Sequence, residues 1–207
     1  MTLKQARRTL SKRLGEVLPL LGFDRVAELR FRRDTGGVAV ASLAFPCCHD
    51  RRGFFAFSCN VGLRYEVLEG VLGADGADAD APTILVPLHL LEEDGHFLEW
   101  QFEREQDLAA VVRDVGARVR ATALPWSEKY SDLASVRARL QSDRVADWFA
   151  LDPERRVCML AALDVVEGDR TAAIRRLEDA LREHAGAHPK TRYQIEDVLR
   201  RILGSNP

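Results

Sequence analysis

The sequence of 207 residues predicts an α+β fold, and three changes in apolar spacing carry that prediction. Residues 3–21 place apolar side chains three and four residues apart, which indicates an amphipathic helix. Residues 26–33, 38–45 and 54–65 follow as strand-like alternating runs. From residue 105 onwards the helical spacing returns. A helix, then strands, then further helices is typical of an α+β fold rather than of a parallel doubly wound sheet.

The N-terminal helix has recognisable ends. Thr2 and Gln5 have the spacing of a capping box, in which each side chain accepts a hydrogen bond from the other residue's backbone N–H. Pro19 and Gly22 favour the end of the helix, because proline cannot continue it and glycine readily adopts the left-handed conformation that often follows the last turn. The predicted helix therefore begins near residue 3 and ends near residue 21.

The second and third strand-like runs predict a hairpin. The register that best matches apolar partners sets Phe45 opposite Phe55. In that register Cys47 and Cys48 lie in the connecting loop, whereas Cys59 lies on a strand and packs into the core.

A second hairpin is predicted from residues 84–91 and 96–102 around the turn E-E-D-G. Pro87 has no N–H for a ladder of hydrogen bonds, so the first of these strands is expected at a sheet edge or is interrupted there. Together with residues 26–33 and the first hairpin, these runs predict a mainly antiparallel sheet of about five strands.

Helical patterns fill the next part of the chain. Residues 108–119 carry a core-facing apolar stripe, which L-P-W at 124–126 is expected to break. Ser131 can cap the helix that follows. Asp152 with Pro153 is a strong start signal, since an N-cap residue precedes proline at the first helical position.

The last third predicts a helical hairpin over residues 153–167 and 171–184, followed by a third helix over about 191–203. We therefore expect two domains. Residues 1–142 form the α+β domain, and residues 143–207 form a helical appendage that is packed on it or available to a partner.

Composition favours a globular, cytoplasmic protein. Hydrophobic residues make up 46% and charged residues 30% of the chain. The N-terminus is charged throughout, and no apolar run approaches the ~18 residues that a membrane span needs. The four cysteines are more typical of free thiols than of a disulfide framework. No Gly-rich phosphate loop follows a strand, so no cofactor is expected.

Charge is unevenly distributed, although the net charge is only −2. Residues 1–33 hold nine basic and three acidic residues, whereas residues 66–107 hold one basic and twelve acidic residues. Such polarity can steer a charged partner towards one face, and an ordinary solvated surface is the alternative interpretation. Nucleic acid is not expected as a partner, because the chain lacks a contiguous basic stripe with interleaved aromatic residues. The acidic residues at which partner contact is expected are Asp75, Asp78, Asp80, Glu92, Glu93 and Asp94.

Two further groups of residues suggest chemistry. Cys48 with His49 would suit a thiol-dependent hydrolase, and His89 with His96 near carboxylates would suit a metal-dependent one. Adjacent extended residues point in opposite directions, however, and surface histidines beside turn carboxylates need no metal. No catalytic residue and no metal site is assigned from these patterns.

Four short motifs resemble the bacterial domain-of-unknown-function family 4304. They are L-P-L-L-G-F-D-R at 18–25, F-R-R at 31–33, F-S-C-N-V-G-L at 57–63 and A-L-P-W-S-E-K-Y-S-D-L at 123–133. The resemblance covers about residues 3–140 and implies an α+β domain with an antiparallel sheet. It implies no catalytic residues.

The segment A-L-D-V-V-E-G-D-R-T-A-A-I-R-R-L-E-D-A-L at 162–181 is similar to one tetratricopeptide-type unit. A solenoid needs about three such units, and the sequence has one. The segment therefore predicts either a helical cap on the sheet domain or a groove for a partner.

These observations favour a non-enzymatic protein-binding domain that uses its acidic face and helical appendage. Neutralising a cationic toxin, as bacterial immunity proteins do, is one concrete form of this function. The alternative is a small metal- or thiol-dependent hydrolase that uses the histidine or cysteine groups named above.

Overall fold

The computed structural model describes residues 1–49, 54–73, 81–92, 95–142, 152–183 and 189–204, and it describes only the backbone of residues 49 and 189–191. The chain forms two compact units. The first consists of Met1–Leu63 and Ile84–Ser131, and the second consists of Arg64–Thr83 and Asp132–Pro207. The predicted domain boundary adjoins residues 143–151, which lie outside the described residues.

Helices and strands of the described part confirm the predicted α+β class. The α-helices are α1 (Leu3–Val17), α2 (Glu66–Leu72), α3 (Leu108–Arg118), α4 (Leu124–Lys129), α5 (Leu133–Gln141), α6 (Pro153–Val166), α7 (Arg170–Glu183) and α8 (Pro189–Gly204). The strands are β1 (Asp24–Ala27), β2 (Arg30–Asp34), β3 (Val40–Ala44), β4 (Cys47–His49), β5 (Phe55–Phe57), β6 (Asn60–Arg64), β7 (Ile84–Pro87) and β8 (Trp100–Phe102). No helix in these ranges is both long enough and apolar enough to cross a bilayer.

Helix α1 begins at the predicted capping box. The Thr2 N–H donates to Gln5 Oε1 at 2.8 Å, and the Gln5 N–H donates to Thr2 Oγ1 at 3.3 Å. A 3₁₀ turn over Leu18–Leu21 follows the helix, and Gly22 ends it with φ of 80°. The buried side chains of the helix, spaced three and four residues apart, include Ala6, Leu10 and Leu14.

The first unit contains a five-stranded sheet in the order β1-β2-β3-β6-β7. Strands β1, β2 and β3 pair antiparallel, as do β6 and β7. The predicted alternation is confirmed at Phe31, Leu43, Val61 and Leu63, which are buried. It fails in β1, whose four residues are exposed, because the predicted strand over 26–33 is divided by a turn. Strand β7 lies at the sheet edge and ends at Pro87, as the missing proline N–H predicts.

The two long strand-like runs lie beside each other as predicted, since β3 is next to β6, but the predicted register is wrong. Phe55 faces His49 and not the predicted Phe45, a shift of four residues, and β4, β5 and β8 form a separate three-stranded sheet. Cys47 pairs with Phe57 and Cys48 with Ala56, so the two cysteines lie within a strand and not in the connecting loop. Pro46 precedes this strand and has no N–H to donate, which explains why the ladder is interrupted there.

The predicted second hairpin, by contrast, is wrong. Strand β7 pairs with β6, whereas β8 pairs with β5 in the other sheet. After Pro87 the chain turns into a 3₁₀ segment, Leu88–Leu91, which carries it away from the edge of the first sheet. The chain between β7 and β8 therefore connects strands of two different sheets and does not close one hairpin.

A two-residue turn between β1 and β2 contains an unusual backbone conformation. Leu29 has φ of 60°, a left-handed value that side chains other than glycine rarely adopt. Its side chain is buried, and its carbonyl accepts a hydrogen bond of 3.0 Å from the Phe45 N–H. Tertiary contacts therefore hold this turn.

The sequence predicted that L-P-W breaks helix α3. The helix instead continues into α4 through a π turn over Val119–Ala123. The Leu124 N–H donates to the carbonyl of Val119, five residues earlier. Pro125 explains the wider turn, because in an α-helix its ring would collide with the carbonyl of Ala121. The proline thus changes the helix without ending it.

The second unit is helical. Helix α6 is buried over most of its middle, from Cys158 to Asp164, and contacts α2, α5, α7 and α8. It begins at the predicted Asp152–Pro153 signal. Helix α5 is capped by Asp132 and not by Ser131, because the Asp132 carboxylate accepts the Ser135 N–H at 2.8 Å.

The turn between α6 and α7 follows from the sequence E-G-D-R. Gly168 has φ of 90°, which suits the residue after a helix. Asp169 then caps α7, since its carboxylate accepts the Ala172 N–H at 2.8 Å. The predicted helical hairpin is confirmed.

A cluster of ion pairs joins three helices of this unit. Asp164 of α6 accepts hydrogen bonds of 2.8 Å from Arg137 of α5 and from Arg176 of α7. Arg137 also donates to Glu167 at 2.9 Å. Asp164 is nearly buried, with 7% of its side chain exposed. We call these four residues the Asp164 cluster.

Candidate functional site

A groove of about 680 Å³ opens beside the π turn in the first unit. The 3₁₀ segment after β7 lines one side, and the end of α3, the π turn and α4 line the other. The lining residues are Leu91, Glu92, Arg118, Ala121, Thr122, Pro125, Trp126 and Lys129. We call this feature the Glu92 groove.

An ionic pair lies at the groove. Arg118 Nη1 lies 2.7 Å from each carboxylate oxygen of Glu92, and 15% of the Glu92 side chain is exposed. The hydrogen bonds to Glu92 are the largest cause of the raised pKa of the Arg118 guanidinium, and burial opposes them. The guanidinium therefore keeps its charge across the ordinary pH range.

The same pair is tied to the core of the smaller sheet. Arg118 Nε donates to Asp114 Oδ2 at 3.1 Å, and Trp100 Nε1 donates to the same oxygen at 2.7 Å. Trp100 is buried and stacks on Phe57, with ring centroids 5.4 Å apart. Charge-assisted hydrogen bonds thus connect the groove to a rigid aromatic core.

Aromatic and apolar groups form another part of the groove. Trp126 is half-buried and meets the buried ring of Tyr130 edge-on, with centroids 5.7 Å apart. Lys129 Nζ lies 5.2 Å from the centre of the Tyr130 ring, within the range of a cation–π contact. An indole held in this way offers a firm apolar surface to a ligand.

Glu92 is the one predicted contact residue that the structure describes. Its carboxylate is bound to Arg118, so it is not a free acid or base. The other predicted acidic residues lie outside the described residues: Asp75, Asp78, Asp80, Glu93 and Asp94.

Comparisons with family models, curated proteins and solved structures gave no match. The likeness to family 4304 and the likeness to a tetratricopeptide-type unit therefore stay predictions from the quoted motifs.

The surroundings of Cys47 disfavour nucleophilic chemistry. Cys47 is half-buried and Cys48 is exposed in strand β4, and the side chain of His49 lies outside the described residues. The pKa of Cys47 is raised to about 11, chiefly by burial and in smaller part by the neighbouring Cys48. Burial also raises the pKa of Cys59, and it raises that of Cys158 to about 11. Such thiols are weak nucleophiles at neutral pH.

Alkylation of Cys47 should accordingly be slow. A pKa near 11 in place of 9.0 leaves roughly 100-fold less thiolate at pH 8. We therefore expect iodoacetamide to label Cys47 about 100-fold more slowly in the native protein than in urea. The labelling rate of the native protein should rise with pH up to about pH 11. Peptide mass spectrometry resolves each cysteine. Equal native and denatured rates would contradict the raised pKa.

The two histidines of the metal hypothesis lie in different surroundings. His89 belongs to the 3₁₀ segment and packs against Phe97, with ring centroids 5.3 Å apart. His96 is exposed in the segment before β8. Across the described ranges, no three histidine, cysteine or acidic side chains are grouped as metal ligands would be.

Sequence patterns missed most of the Glu92 groove. Arg118, Trp126 and Lys129 fall in a helical stretch whose proline suggested only a helix break. The available signal was the L-P-W motif itself, because a proline within an apolar helical pattern can mark a π turn, and such turns are frequent at functional sites.

Proposed function

We propose that this protein is a non-enzymatic protein-binding domain and that the Glu92 groove makes the specific contact with its partner. The observation that carries this proposal is that Trp126 lines the same groove as Glu92 and Arg118, whose charged groups bind each other. Tryptophan, tyrosine and arginine are the residues most enriched among interface hot spots. The charged groups neutralise each other, so the groove favours recognition over acid–base chemistry.

The charge distribution supports a cationic partner. Residues 66–107 carry twelve acidic residues and one basic residue, and Glu92 belongs to that segment. Electrostatic attraction of this kind speeds association and weakens with salt. A bacterial immunity-like protein that captures a cationic toxin in the cytoplasm fits this chemistry. The C-terminal helices α6–α8 are the second surface that such a partner could contact.

The test compares wild-type protein with Trp126→Ala in affinity capture from a lysate of the source organism. We expect a stoichiometric partner on the wild type, and a loss of affinity of about 30-fold for the variant, since a hot-spot tryptophan contributes about 2 kcal/mol. Capture at moderate salt should be weaker than at low salt if the partner is cationic.

Phe97→Ala is the matched control, because Phe97 is a solvent-exposed aromatic residue that does not line the groove. Circular dichroism establishes that each variant is folded. Retention of the partner by folded Trp126→Ala at wild-type affinity would place the contact outside the groove and refute the proposal.

A further inference from the structure

A second groove, of about 360 Å³, lies on another face of α3 in the first unit. Val17, Leu20 and Leu21 form its apolar wall at the end of α1 and in the 3₁₀ turn that follows. Leu20 is 79% exposed, more than any other large apolar residue in the described ranges. A single exposed apolar side chain is ordinary, but several apolar residues that line one groove are typical of an interaction surface.

The floor of this groove is made of small residues of α3. Ala109, Gly116 and Ala117 lie along it. A Cβ atom at Gly116 would stand 2.7 Å from Val17 Cγ1, so glycine lets the end of α1 approach the α3 backbone closely. From Ala109 to Arg120 the floor covers eleven residue steps, or about 16 Å at ~1.5 Å per residue. Three turns of a partner helix have that length.

Two arginines border the floor. Arg113 and Arg120 are seven residues apart, which places them on one side of the helix about 10 Å from each other. Both are exposed, and neither makes an ion pair or a hydrogen bond to a side chain anywhere in the described structure. By contrast, Arg118 of the Glu92 groove forms ion pairs with both Glu92 and Asp114.

We propose that this second groove binds an acidic amphipathic helix of another protein. The partner helix would place an apolar stripe on Leu20 and the small-residue floor, and two carboxylates about two turns apart on Arg113 and Arg120. Arginine binds carboxylates through paired N–H donors, so the two unpaired guanidinium groups select for acidic partners and for their spacing. This surface and its partner are independent of the Glu92 groove and of the cationic partner proposed there.

A displayed library of amphipathic helices tests the proposal. The apolar stripe is fixed, and the flanking positions vary among Glu, Lys and Ser. Selection on the full-length wild type should enrich peptides with Glu seven residues apart. Selection on the double variant Arg113→Glu/Arg120→Glu should enrich Lys at those positions, because reversing the charge of the groove reverses its preference. Both positions are exposed, so the fold should persist.

Leu20→Ser and Val26→Ser form a matched pair of controls. Both residues are exposed and apolar, and only Leu20 lines the groove. A selected acidic peptide should bind Leu20→Ser at least about tenfold more weakly than wild type, and Val26→Ser as the wild type does. The proposal is overturned if the wild type enriches no peptide, or if the charge-reversed variant enriches the same acidic peptides. The proposal is also overturned if the wild type enriches no peptide but binds a labelled DNA duplex through Arg113 and Arg120, because the two arginines would then be phosphate contacts.

Discussion

Replacing Phe57 with alanine is expected to lower the free energy of unfolding of the first unit by about 4 kcal/mol. Phe57 is 1% exposed and lies in β5, the central strand of the three-stranded sheet. Its ring stacks on Trp100 at 5.4 Å and meets Phe45 and Phe102 at 6.3 and 6.2 Å. Truncation removes these contacts and leaves a cavity that neighbouring rings cannot fill.

Urea unfolding followed by tryptophan fluorescence measures the effect, since Trp100 contacts the substituted position. Phe97→Ala serves as the control and should change the free energy by less than about 0.5 kcal/mol, because Phe97 is 73% exposed. A Phe57→Ala protein as stable as this control would contradict the packing described for the smaller sheet.

Asp164→Asn is expected to destabilise the second unit by about 3 kcal/mol. The carboxylate is the common partner of Arg137 and Arg176, whose side chains are 18% and 33% exposed. Removing its charge leaves two partly buried guanidinium groups without their central anion, which costs more than the ion pairs themselves contribute.

Far-UV circular dichroism during urea unfolding follows this helical unit. Asp179→Asn is the control, since Asp179 pairs with Arg182 within α7 and both are largely exposed. An exposed pair one helical turn apart contributes about 0.5 kcal/mol at most. Equal losses in the two variants would show that the Asp164 cluster has no special role in joining α5, α6 and α7.

Local signals in the sequence predicted most elements correctly. The Thr2–Gln5 capping box and the Asp152–Pro153 helix start each depend on a few adjacent residues, so they could be identified without tertiary information. Alternation over residues 55–63 identified every second position as buried, because side chains on a strand point to opposite faces in turn, although Ala56 and Gly62 between them are buried as well.

Pairing and the candidate site could not be predicted in the same way. Alternation fixes which face of a strand is apolar, but neither its register nor the strand beside it, and so the register of β5 and the partner of β8 were predicted wrongly. The Glu92 groove brings together residues 26 positions apart, Glu92 and Arg118, and it depends on a π turn whose only mark in the sequence is Pro125. Distant contacts of this kind have no periodic signature.

The turns of this chain differ in what determines their backbone conformation, and the left-handed Leu29 belongs to a turn that tertiary contacts determine. At Gly22 and Gly168 the amino acid itself permits the turn, so the local sequence dictates the backbone. At Leu29 the conformation costs roughly 1–2 kcal/mol for a residue with a side chain, and burial of that side chain and the hydrogen bond from Phe45 must offset it. The β1–β2 connection is therefore a consequence of the assembled core. The isolated segment would have no reason to adopt it.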